Sequence, residues 1–140
     1  NTAGHKNNAF GAYALANGNG SYNDAFGYAA MNKVKVGEWG MMPFAVGVQS
    51  DKKIVTVGRA TSYDSQGNFD QRFVAVRFTE KGMVDTAFGP DRNGIVKTSI
   101  LNGQAIAKGV VLYGNKITVS GYAMDNARGF YTGAVVQYNQ

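Results

Sequence analysis

Large apolar residues fall into three patterns along the chain. Over residues 1–33 they stand singly (Phe10, Leu15, Phe26, Met31) among Gly, Ala and Asn. The Asn-Gly pairs at Asn17-Gly18 and Asn19-Gly20 tolerate positive φ and mark tight turns, and the recurring Gly and Asn would interrupt a helix every few residues. Short strands joined by tight turns are the prediction here. Residues 34–44 hold Trp39, Met41, Met42 and Phe44 without a clear period, broken by Gly37, Gly40 and Pro43. This stretch reads as a junction that packs one domain onto the next, the alternative being an exposed aromatic contact site. From residue 45 onward, runs rich in Val, Ile, Phe and Tyr alternate with polar positions, the signature of half-buried strands.

Both ordered stretches are internally repeated. In the first, residues 7–15 (NNAFGAYAL) return as residues 23–31 (NDAFGYAAM). So short a period cannot fold alone; each turn must bury itself against neighbouring turns or neighbouring chains. In the second, residues 53–60 (KIVTVGRA) match residues 116–123 (KITVSGYA), and residues 73–79 (FVAVRFT) match residues 133–139 (GAVVQYN). Each unit runs strand, turn, strand, loop, strand. Ser50-Asp51-Lys52 is the predicted hairpin turn of the first unit, and Gly114-Asn115 that of the second. The loops that follow, residues 61–72 (TSYDSQGNFDQR) and 124–132 (MDNARGFYT), differ in length and sequence while their flanking strands agree.

The short repeat resembles the N-T-A-F-G-x-x-A-L repeats of trimeric autotransporter heads and phage tail-fibre shafts, although Asn8 and Asp24 stand where Thr is usual. The resemblance implies three chains wound into a β-roll or β-prism. The longer repeat resembles the delta-60 repeat through Gln49, Asp51, Lys53, Ile54, Val57, Gly58, Phe73, Arg77, Phe78, Gly82, Asp85, Phe88, Gly89, Gly94 and Val96. The second unit departs from it, with Gly114-Asn115 for Asp51-Lys52 and Gln137 for Arg77. Delta-60 repeats imply β-propeller blades, and two blades cannot close a ring that needs about four to eight. Three chains with two blades each would give six. The expected architecture is therefore all-β: a trimeric shaft over residues 1–33, a junction over 34–44, and two blades over 45–140, the tip being one six-bladed propeller shared by three chains. The competing architecture is three separate small β-domains on the shaft. Mosaic adhesive trimers of bacterial surface fibres join such parts. The chain starts inside a repeat and without an initiator Met, so it reads as a piece of a longer fibre.

Composition narrows the chemistry. The 140 residues are only 16% charged and include 19 Gly, 8 Tyr and 8 Phe, a balance that suits β-rich fibres better than a helical enzyme. There is no Cys and a single His, His5, so neither a thiolate metal site nor a Ser-His-Asp triad can be built within one chain. No metal, cofactor or catalytic residue is expected. Asp64, Asp70 and Asp125 could form carboxylate pairs between blades, but Asp also closes tight turns. Asp85 reads as the hydrogen-bonding residue of the D-T-A-F-G turn. The net charge of +5 favours acidic surfaces, yet Lys and Arg are scattered and do not line up with aromatics as nucleic acid would require. No run is long and apolar enough for a membrane-spanning helix.

The differing loops are the candidate ligand surface, because loops carry recognition while strands hold them. Tyr63, Gln66, Asn68, Phe69 and Arg72 in the first, with Asn126, Arg128 and Tyr131 in the second, combine ring faces with amide and guanidinium donors, a mixture suited to sugar or peptide recognition. The resulting expectation is a non-catalytic, extracellular homotrimeric fibre tip. It would adhere to a cell-surface glycan or outer-membrane component of another cell, without nucleic acid or membrane insertion. The alternatives are a polysaccharide-degrading tip enzyme and a purely structural trimerising cap.

Overall fold

A computed structural model describes residues 40–139. The fibre-type repeats of residues 1–33, with His5, and junction residues 34–39 lie outside the described residues. The described residues form seven strands and no helix: β1 (Gly40–Val48), β2 (Ile54–Tyr63), β3 (Phe69–Phe78), β4 (Ile95–Thr98), β5 (Ala105–Tyr113), β6 (Lys116–Asp125) and β7 (Phe130–Asn139). Two antiparallel sheets result, ordered β1-β2-β3-β4 and β5-β6-β7. The all-β, blade-like expectation holds. The predicted hairpin turns also fall where the pattern put them, with Val48 opposite Ile54 and Tyr113 opposite Lys116.

Three details differ from the sequence reading. The first strand starts at Gly40, so residues 40–44 of the expected junction are strand, paired from Gly40 opposite Thr61. Pro43 is tolerated because β1 is an edge strand and the register shifts between Pro43 and Ala45. The two long loops are mostly strand: only residues 64–68 and 126–129 turn. Their polar residues alternate on strands with exposed positions, which softens the hydrophobic signal without removing the ladder. Finally, β4 pairs with β3, Ile95 opposite Val76 through Thr98 opposite Phe73, and completes the first sheet. Its IVKT sequence is too short to stand out from the pattern alone.

The sheets pack face to face around Val55, Val57, Phe73 and Ala75 from the first and Ile117 and Val119 from the second, all fully buried. At about 25 cal/mol per Å² of apolar surface removed from water, this shared core dominates the stability of the pair. Gly47 lies against Leu112 and Val110 and Phe44 against Lys108, so β1 and β5 run side by side in the same direction. The packing is head to tail. Val55 and Val57 face the second sheet, but their counterparts Thr118 and Ser120 face away from the first; Ile117 and Val119 supply the second sheet's share, at the positions of Ile54 and Thr56. One interface therefore joins unlike faces of like sheets, the arrangement that either closes into a ring or extends. The far face of the first sheet is buried at Thr56, Val74 and Val76, where Met41, Ile54 and Val84 pack nearby. The far face of the second sheet is open, with Val111, Tyr113 and Val135 65%, 85% and 70% exposed.

Candidate functional site

Parallel β1 and β5 place both β1-β2 and β5-β6 turns at one end of the sheets. The β2-β3 and β6-β7 hairpins leave the other end together, and these hold most of the residues singled out from sequence. In the first hairpin, Tyr63 and Phe69 are cross-strand partners with ring centroids 6.2 Å apart, and both rings are exposed. Asp64 closes the turn between them. Its carboxylate accepts from the Gln66 and Asn68 backbone N–H groups at 2.9 and 2.8 Å and from the Asn68 side-chain amide at 2.9 Å. The Asn68 amide is the largest of the contacts that hold the Asp64 carboxyl below its ordinary range. Gln66 stays free at the tip in its side chain, whereas Asn68 is committed to the turn. Arg72 lies down the strand from the tip, bound to Asp70 at 2.7 Å.

The second hairpin uses the same chemistry. Asp125 accepts from the backbone N–H groups of Ala127 and Arg128 at 3.0 and 3.1 Å. Arg128 reaches back to Asp125 at 3.6 Å and is otherwise exposed. Asn126 donates to the Asn102 carbonyl at 3.0 Å, tying the hairpin to the connection between the sheets. That connection turns tightly at Leu101 and Asn102, both at positive φ, and exposes the Leu101 side chain. Tyr131 donates to Gln104 Oε1 at 3.3 Å and stacks edge-on against Tyr122 at 5.4 Å. Asp64 and Asp125 are thus engaged by the donors of their own turns, and Asp70 by Arg72. Among the described residues no group of His and carboxylates could hold a metal ion.

The opposite end contains the one buried ion cluster among the described residues. Arg77 donates to Asp85 at 2.8 Å, both nearly inaccessible, and lies over the Phe88 ring at 4.7 Å. Asp85 also accepts from the Ala87 N–H at 3.1 Å, so the carboxylate fixes the D-T-A-F-G turn as its position in the repeat implies. Lys53 comes within 3.8 Å of Asp85 and 2.9 Å of Asp51, and its hydrogen bond is the largest cause holding the Asp51 carboxyl low. Gln49, which opens the β1-β2 turn, is buried with neither side-chain amide atom bonded. This arrangement braces the fold and presents little surface to a ligand.

Sequence reasoning placed Phe44 in the junction, with an exposed aromatic contact as the alternative, and did not single out Lys108. Each is the extra residue of a β-bulge, between Pro43 and Ala45 in β1 and between Ala107 and Gly109 in β5. The signal was present in Gly58 and Gly121, which occupy the same place in the two repeats. A Cβ on Gly58 would strike the Met42 carbonyl, and one on Gly121 the Ile106 carbonyl. Each Gly lets the first strand of its sheet buckle inward, and a buckled strand re-aims a side chain.

Residues 49–88, from the first turn through Phe88, match the model of a family described as a domain of unknown function (DUF5122) beta-propeller. No curated protein and no solved structure matches the chain. The match covers the heart of the first sheet, and a propeller-type repeat is the architecture that the head-to-tail packing also displays.

Proposed function

We propose that this chain is the tip of a trimeric extracellular fibre, a non-catalytic adhesin for a glycan or outer-membrane component of another cell. The observation that carries the reading is the hairpin end of the paired sheets. There Tyr63, Phe69 and Tyr131 expose ring faces within reach of polar donors on rigid, carboxylate-capped turns. Aromatic faces held by a stiff scaffold suit the apolar faces of sugars, and the Gln66 amide and Arg128 suit their hydroxyls and acidic groups. Three such sites on one axis would gain avidity without high affinity at each.

The trimeric part of the reading rests on the open packing. Two sheets joined by unlike faces leave the second with exposed Val111, Tyr113 and Val135, surface that a further blade would cover. Closing a six-bladed ring requires Thr56, Val74 and Val76, buried within the single chain, to be covered by the neighbouring chain's sheet instead. Light scattering on the purified chain tests this: a mass three times 14.9 kDa supports the shared ring, and a stable folded monomer overturns it. Binding to intact Gram-negative cells, lost in a Tyr63→Ala, Tyr131→Ala double variant that keeps its thermal midpoint, supports the adhesin. Unchanged binding in that variant removes the hairpins from the site.

A further inference from the structure

The two bulged residues meet. Lys108 Nζ lies 3.7 Å from the centroid of the Phe44 ring and 6.0 Å from that of Tyr122, which in turn packs edge-on against Tyr131. Bulges at matching places on the first strands of two sheets, each opposite an obligatory Gly, have brought a cation and three rings into one row. Both Phe44 and Lys108 are exposed. Among the described residues no carboxylate lies within ion-pair distance of Lys108, as is also so of Arg59, Lys81, Arg92 and Lys116, but of these it is Lys108 that is held over aromatic rings. An ammonium held by ring faces keeps its charge available, because the rings contribute no negative formal charge to neutralise it.

We infer that Lys108, with Phe44, Tyr122 and Tyr131, forms a binding site for an anionic saccharide, the ammonium pairing with its carboxylate or phosphate while the rings take the sugar face. This rests on the glycan-binding reading and moves its centre from the hairpin tips to the junction of the two sheets, with Tyr131 common to both. The attraction is a charge-assisted contact near the surface, so it weakens as salt rises.

The test is calorimetric titration of the full chain with oligogalacturonate, its neutral methyl ester, and a phosphorylated oligomannose. Binding of either acidic ligand is expected to weaken about tenfold in Lys108→Gln and about threefold in Phe44→Leu, as loss of a charge-assisted contact and of a ring face predicts. Both variants are expected to keep the wild-type thermal midpoint. The methyl ester is expected to bind weakly and equally to wild type and Lys108→Gln. The tighter of the two acidic ligands identifies the anion. Equal affinity of Lys108→Gln and wild type, or no binding of either acidic ligand, overturns the site. In that case, cell binding that still depends on Tyr63 leaves the adhesin standing, and loss of all cell binding by wild type removes both.

Discussion

The first and second sheets are built from the same repeat, yet they invest in different things. In the first, Val55, Val57, Phe73 and Ala75 make an apolar face that receives the second sheet. The corresponding positions of the second sheet are Thr118, Ser120, Gly133 and Val135, a face that is more polar and open, with Gln137 donating to Thr118 at 3.1 Å. Arg77 and Asp85 lock the turn of the first sheet, whereas the second sheet has Gln137 in the place of Arg77. The first sheet has a fourth strand, whereas β7 has no partner on its outer side among the described residues. One repeat can thus serve as foundation or as exposed surface, according to a few side chains on a constant backbone.

The sharpest way to break the contrast is at the lock. Asp85→Asn leaves Arg77 buried beside a neutral partner, and a loss of about 3–5 kcal/mol in denaturant unfolding is expected. Asp125→Asn in the second sheet touches only an exposed turn and should shift the midpoint far less. Phe73→Ala empties the centre of the shared core and should cost about 3–5 kcal/mol. A much smaller loss would mean that the sheets do not depend on each other. Gln49→Leu should stabilise by about 1–3 kcal/mol, because it removes a buried amide with no partner. A loss there instead would reveal a buried water bound to that amide. The smallest effect concerns Tyr138, whose hydroxyl shares a 2.7 Å hydrogen bond with Thr98 and whose pKa is raised by burial. The folded state holds this proton more tightly than the unfolded chain, so its contribution is present below the ordinary tyrosine pKa and is lost as pH rises above it. Tyr138→Phe should flatten the alkaline fall in stability, and an unchanged alkaline limb would refute that assignment.

Much of this was legible in the residues, for identifiable reasons. The matching runs at residues 53–60 and 116–123, each opening with Lys-Ile and holding a Gly at its sixth place, marked the β-pairs of both sheets, because turn chemistry at Ser50-Asp51-Lys52 and Gly114-Asn115 set their register. The role of Asp85 was readable from the turn it begins. The hairpin ends were misjudged because Asp70, Gln71 and Arg72 look like loop residues; their strand character comes from pairing with β2, a tertiary contact. Phe44 and Lys108 lie far apart in sequence. Only the packing of one sheet on the next, with a bulge in each, makes them neighbours.

The outer edge of β7 has a practical corollary. Its sequence, FYTGAVVQYN, contains no charged residue and no proline, the devices that natural edges use to refuse a partner strand. Among the described residues the backbone donors and acceptors along it have no partner strand and form a template for an added one. At high concentration a second copy can be that chain, so self-association through this edge should rise with concentration.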